Sequence, residues 1–182
     1  DAHTAAQAFD QWMRSKPVDI GNTVRRNLIT FRKTGHPEAP PSEHDAGNGA
    51  AMRCLPVALA CYGQPIETIK HASAAQAHVT HHNALSDAAC ETLIVMLHDL
   101  LGGASLSECE QHAQALCRQF PQYDYQRKRI ENPSGYIVET LQAVFQALFS
   151  TDSLENCLID VVNRGGDADT TAAIAGGIVG AR

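Results

Sequence analysis

Apolar side chains recur at helical spacing along almost the whole chain. Residues 2–15 place Ala5, Ala8, Phe9, Trp12 and Met13 on one stripe. Pro17 and Gly21 interrupt the pattern, and Val24, Leu28, Ile29 and Phe31 resume it over 22–34. Residues 33–49 hold three prolines and three glycines, which predicts a long loop of the kind that often carries function. Residues 50–62 are apolar on nearly all sides, so the pattern predicts one buried helix with Pro56 as its kink. Further helices are predicted over 65–80, 84–101, 105–119, 135–150 and 153–163, with a second loop over 121–134. Gly165-Gly166 then opens a last helix rich in Ala, Ile, Gly and Val. Alternating β patterns are scarce, and Asn48-Gly49 precedes a helix rather than joining two strands. The reading is an all-α fold, a compact multi-helix bundle forming one domain over 1–182, without repeats or an internal linker.

Composition narrows the class. Of 182 residues, 44% are hydrophobic, enough for a globular core, and only 5% are aromatic, so Ala, Leu, Ile and Val must fill it. The net charge of −6 argues against a general nucleic-acid binder, which needs clustered Lys and Arg. The one basic cluster, Arg127-Lys128-Arg129, reads as a solvated loop. No stretch approaches the ~18–20 apolar residues of a transmembrane helix, and no signal peptide is visible. The chain lacks an initiator Met, so it is expected to be processed or a fragment. Six scattered cysteines without a Cys-x-x-Cys pair read as reduced core thiols of a cytoplasmic protein.

Five places could carry chemistry. Asp167, Asp169, Thr170 and Thr171 follow the Gly165-Gly166 turn. One acid would suffice as a helix cap, and the remaining oxygens suit a hard divalent ion. The competing reading is an acidic helix N-terminus favoured by the dipole. Three oxygen ligands are too few for an octahedral ion, so others would have to come from elsewhere. In Glu43-His44-Asp45-Ala46-Gly47-Asn48-Gly49, a Gly-x-Gly helix entry offers backbone N–H groups to an anion, or is an ordinary turn. The flanking acids Glu43 and Asp45 suit a site that also holds a metal or a guanidinium. His78 and His82 stand at i, i+4, a zinc-chelating spacing. Without a Glu between them they read first as histidines at a helix end, with room for one His beside a ligand. Asp19, between Pro17 and Gly21, is either a residue before a helix or a positioned acid or base. Tyr136, after a Pro-Ser-Gly turn, either stacks on a base or ribose or plugs the core.

Taken together and in order, "KPVDIGNTVRR", "SEHDAGNGAAMRCLPVALA", "THHNALSDAAC", "YIVET" and "CLIDVVNRGGDADTTAAIAG" resemble the ADP-ribosylglycohydrolase family across essentially the whole chain. The resemblance implies an all-α fold with a binuclear site for two Mn²⁺ or Mg²⁺ ions. It also implies cleavage of the N-glycosidic bond between ADP-ribose and a protein side chain. In the branch that looks most similar, that side chain is an arginine of dinitrogenase reductase, and cleavage restores nitrogen fixation.

Carried over by motif, Asp167, Asp169 and Thr170 are implied metal ligands and Asp19 the residue facing the arginine leaving group. Gly47, Asn48, Gly49, Met52, His81 and Tyr136 are implied substrate contacts, with Glu43 and Asp45 beside them. The implied partners are the ADP-ribosylated protein, ADP-ribose and a nitrogen-signalling regulator through which the protein reaches a membrane reversibly. The family's amino-terminal Gly-Asp and Thr-Asp-Asp stretches are not among these residues. About 75–80 residues are therefore expected upstream, with a further segment after Arg182. The alternatives are a non-catalytic ADP-ribose-binding or regulatory module and, last, a zinc enzyme built on His78 and His82.

Overall fold

The computed structural model describes residues 1–181. Among them run nine α-helices: α1 Ala2–Arg14, α2 Asn22–Thr34, α3 Leu55–Ala60, α4 Ile66–Ala77, α5 Ala84–Leu101, α6 Leu106–Gln119, α7 Ile137–Ser150, α8 Leu154–Asn163 and α9 Ala168–Val179. Short 3₁₀ turns occupy Ala51–Arg53 and Pro121–Tyr123. Arg182, where the last helical pattern ends, lies outside the described residues.

The helices start where side chains can accept the free N–H groups of the first turn. Asp1 accepts from the Thr4 amide, Asn83 from Leu85, and Ser153 from Asn156. Ser105 and Glu108 form a full capping box on α6. The core then forms around α5 and α7. Leu93, Ile94, Met96 and Leu97 of α5 meet Ile137, Leu141, Val144, Phe145 and Leu148 of α7, all nearly or fully excluded from water. A smaller cluster of Ala6, Leu28 and Val79 holds α1 and α2 against the end of α4.

α9 packs tightly because it is built from small residues. A Cβ at Gly177 would overlap Leu55, and one at Gly176 would stand 3.2 Å from Leu158. The helix therefore lies close against both α3 and α8.

Residues 50–62 do not form one buried helix. The 3₁₀ turn comes first, and α3 begins at Leu55, so Pro56 sits in a first turn, where its missing N–H costs nothing, rather than at a kink. The segment is also two-faced. Ala50, Ala51, Cys54 and Ala58 are sealed in the core, whereas Met52, Leu59 and Tyr62 are half exposed. The small residues, with Leu55, mark the face that other helices approach, and Met52, Leu59 and Tyr62 point outward.

The 121–134 loop is anchored rather than free. The Tyr123 hydroxyl donates to the Leu85 carbonyl at 2.9 Å, and the Gln146 amide donates to the carbonyls of Tyr125 and Lys128 at 2.7 Å each. Its two arginines are paired: Arg127 with Asp124, and Arg129 with Glu131 and Asp160. All six cysteines are free thiols, with Cys54, Cys90, Cys109 and Cys157 buried. No helix among the described residues is long and apolar enough to cross a membrane.

Candidate active site

A cavity of about 630 Å³ opens where the α1–α2 connection, the loop after α2 and the start of α9 meet. Asp19, Gly47, Asn48, Gly49, Met52, His81, Asp167, Asp169 and Thr170 all line it, although they come from four separated stretches.

The acidic end is set by a turn only glycine can make. Gly165 and Gly166 both have left-handed backbone, φ 74° and 62°. A Cβ on Gly166 would overlap the Pro133 carbonyl and the Asn132 backbone. The turn delivers Asp167 to the N-cap of α9, but its side chain accepts no capping bond. Its Oδ2 instead accepts from the Asn48 amide at 2.7 Å, and that amide also donates to Thr140 Oγ1 at 3.0 Å. Asn48 is itself fixed by its backbone N–H on the Gly135 carbonyl at 2.9 Å. The Gly-Asn-Gly loop thus positions the first acid of the Asp-Ala-Asp motif. Thr171 donates its hydroxyl back to the Asp167 carbonyl at 2.7 Å. Among the described residues, no side-chain hydrogen bond is made by Asp169 or by the Thr170 hydroxyl, both at the cavity wall. The two carboxylates and one hydroxyl form an all-oxygen donor set, the type a hard divalent cation prefers.

The opposite wall is cationic and polar. Arg53 donates from Nε to Gln76 Oε1 at 2.7 Å and from Nη2 to Thr80 Oγ1 at 2.6 Å, and its guanidinium lies 4.4 Å from the Phe9 ring centre. Burial lowers its pKa to about 10, which leaves it charged at neutral pH. Thr80 Oγ1, which accepts from Arg53, also shares a hydrogen bond with His81 Nδ1, 2.8 Å away. Burial, then the charges of Arg53 and Arg26, lower the His81 pKa to about 3, so the ring stays neutral. It lies against the glycine loop: a Cβ on Gly49 would stand 2.7 Å from His81 Cε1, and one on Gly47 3.0 Å from Nε2. The two glycines are flat because an imidazole occupies the space of their side chains.

Three expected contacts lie elsewhere. Asp45 is 1% exposed and turned away from the cavity. It pairs with the Arg26 guanidinium and accepts from the Asn27 amide at 3.0 Å. Of the two cations its position suggested, the guanidinium of the chain's own Arg26 takes it. Glu43 is exposed and does not line the cavity. Tyr136, 40% exposed, reaches the site only through its backbone, which bridges to Gly47. Asp19 is exposed on its turn at the cavity edge.

Arg53, Phe9, Trp12 and Asn22 line the cavity without having been singled out from sequence. Arg53 alone carried a visible signal, as the single charge inside the apolar 50–62 segment. The aromatic pair looked like ordinary core residues of an amphipathic helix.

Comparison with known proteins gives a consistent set of relatives. A family model described as ADP-ribosylglycohydrolase matches residues 1–182. The chain is 46% identical over 181 residues to the ADP-ribosyl-[dinitrogen reductase] glycohydrolase of Rhodospirillum rubrum, covering all of this chain and 61% of that protein. It is 29% identical to the ADP-ribosylarginine hydrolase Tri1 of Pseudomonas putida (strain GB-1), covering all of this chain and 52% of the relative. A solved structure titled as an ADP-ribosylglycohydrolase-related protein complex superposes with a TM-score of 0.85 at 29% identity, over all of this chain and 63% of that one. The chain thus spans about half to three fifths of the length of these relatives.

Proposed function

Because the chain belongs to the ADP-ribosylglycohydrolase family, we propose that it carries the substrate cavity of a metal-dependent hydrolase that removes ADP-ribose from a protein arginine. One observation carries this reading: Asp19, the Gly47–Gly49 loop, His81 and the Asp167–Thr170 oxygens line a single cavity. The names of the Rhodospirillum and Pseudomonas relatives support arginine-linked ADP-ribose on a protein, and dinitrogenase reductase as that protein.

The residues divide the work by chemistry. Asp167, Asp169 and Thr170 would hold Mn²⁺ or Mg²⁺, with further ligands from substrate, water or protein outside these residues. Bound there, the metal would lower the pKa of a water and fix the ribose hydroxyls. Asn48 keeps Asp167 aimed at the cavity through its 2.7 Å hydrogen bond. Arg53 supplies a fixed positive charge beside the glycine loop, where an anionic pyrophosphate would be attracted to the cavity wall. Neutral His81 offers polar ring atoms at the same place without adding a second full charge.

Breaking the N-glycosidic bond builds positive charge at the anomeric carbon, and the guanidine leaves readily only when it stays protonated. Asp19, exposed on the rigid turn between Pro17 and Gly21, would hold that guanidinium as a bidentate carboxylate pair. Binding the pyrophosphate at one end and the guanidinium at the other fixes the scissile bond between them.

The test is release of ADP-ribose from an arginine-modified protein by the full-length protein, with and without Mn²⁺. Mn²⁺-dependent release is expected, and Asp19→Ala should abolish it while sparing ADP-ribose binding. Binding of ADP-ribose without any release would reduce the protein to a recognition module.

A further inference from the structure

Away from the cavity, the α2–α3 loop and the end of α4 bring three metal-binding side chains together. Glu38, His78 and His82 each offer a ligand atom within 4.8 Å of the other two. Glu38 Oε1 stands 3.3 Å from His78 Nδ1 and 3.6 Å from His82 Nδ1. Ligands about 2.05 Å from a tetrahedral zinc stand about 3.3 Å from one another, so these spacings are close to those of a filled site. The Ala39 carbonyl oxygen lies 2.7 Å from His82 Nδ1 and adds a fourth donor at the same point.

The arrangement is held by two backbone hydrogen bonds and one from a side-chain amide, none of which needs an ion. The Ala39 amide donates to the His78 carbonyl at 2.8 Å and the Ser42 amide to the His82 carbonyl at 2.9 Å. The Asn83 amide donates to the Ser42 carbonyl at 2.8 Å. The imidazoles themselves are stacked, centroids 3.8 Å apart and planes 14° from parallel, so each must turn to aim its lone pair at a shared ion. His78 Nε2 lies 3.0 Å from Asp87 Oδ1, the carboxylate partner that commonly orients a ligating histidine.

We propose that Glu38, His78 and His82 bind a transition metal of the zinc class. The donor set of two imidazoles and one carboxylate suits Zn²⁺, Co²⁺ or Ni²⁺ better than the hard ions suited to the Asp167 cluster. On binding, neutral His82 moves its proton from Nδ1 to Nε2 and gives up its bond to Ala39. The ion then fastens the loop that leads to Asp45 and the glycine turn. This site is independent of the hydrolase reading, because none of its three residues lines the cavity.

The experiment is titration of the full-length protein with Co²⁺ in saturating Mn²⁺, followed by visible absorption and by competition with Zn²⁺. One Co²⁺ per chain, displaced by Zn²⁺, is expected. Glu38→Gln and His82→Gln should each weaken binding about tenfold or more, since loss of a direct ligand costs at least as much as loss of its support. Asp167→Asn should leave it unchanged. If His82→Gln proves unstable by circular dichroism, Glu38→Gln, a change at an exposed side chain, decides alone. Absence of Co²⁺ binding, equal binding by Glu38→Gln, or loss of binding in Asp167→Asn would each overturn the proposal.

Discussion

At the scale of the residue, the site is governed by what holds each acid. Asp167 takes its orientation from Asn48, 119 positions away in the chain. Asn48→Ala removes the donor and leaves the carboxylate free to turn. Mn²⁺ affinity of the full-length protein, followed by calorimetry, should fall about 10–100-fold, the usual cost of losing a group that supports a ligand. Gly49→Ala acts differently. Its new Cβ would stand 2.7 Å from His81 Cε1, so the imidazole or the loop must move. We expect a loss of about 1–3 kcal/mol in denaturant unfolding, together with weaker ADP-ribose binding. The types and order of these residues were legible in the sequence. Their pairings were not, because hydrophobic periodicity fixes which face of a helix is buried and says nothing about which polar atoms meet across the fold. Asp45 illustrates the gap: its acid character was plain, yet its partner turned out to be Arg26.

At the scale of the element, strong periodicity and clear caps were reliable guides. The predicted 84–101 helix is α5, capped by Asn83 at one end and stopping at Gly102 at the other. The 50–62 segment misled because alanine is apolar in pattern yet too small to say which side of a helix is covered. α8 shows how a charge can serve an element. Its Arg164 side chain is buried and donates from Nε and Nη2 to Asp160 Oδ2, at 2.9 and 2.6 Å. The Nη1 donates to Gln146 Oε1 at 2.6 Å, and the Arg164 carbonyl accepts from the Asn132 amide at 2.7 Å. The arginine thus ties α8 to the loop beside the Gly165-Gly166 turn.

Burial alone would raise the Asp160 pKa, but the hydrogen bonds and charges of Arg164 and Arg129 outweigh it and hold the carboxyl below its ordinary value. A carboxyl with a depressed folded pKa stabilises the protein above its unfolded pKa, and that stability is lost as pH falls through the folded one. The wild-type protein should therefore lose this contribution below about pH 4. Asp160→Asn should lack that component of the acid transition. It should also be less stable at pH 7 by about 1–3 kcal/mol, less than for a fully buried pair because Asp160 keeps partial exposure. Chemical denaturation across pH 3–7, comparing the two proteins, checks both points.

At the scale of the whole molecule, the thiols report on the packing. Cys54, Cys90, Cys109 and Cys157 are buried, and Cys61 and Cys117 are partly accessible. The Cys117 thiol donates to the Tyr123 carbonyl, and burial raises its pKa, which slows its reaction further. A thiol reagent applied to the native protein should modify Cys61 first and Cys117 slowly, and reach the other four only on unfolding. Peptide mapping after a short exposure settles the order; early modification of Cys54 or Cys90 would mean that the core opens. The assembly of one cavity from four stretches also belongs to this scale. Sequence gave the order of the motifs and, through resemblance, their family. The convergence of Glu38 with His78 and His82 was invisible, since it depends on how a loop of three prolines lies across the end of α4.

The missing side chain at Gly177 has a reach beyond packing. Leu55 fills that space, so α9 and the segment that follows the glycine loop bear on each other at one point. Gly177 lies eight residues beyond Asp169, about 12 Å along the helix axis. A side chain there forces Leu55 out of its place, or α9 away from the segment that follows the loop aiming its first carboxylate. If the proposed activity holds, a screen for its loss should return Gly177 beside Asp167 and Asn48, and the defect would pass for a catalytic one although Gly177 does not line the cavity.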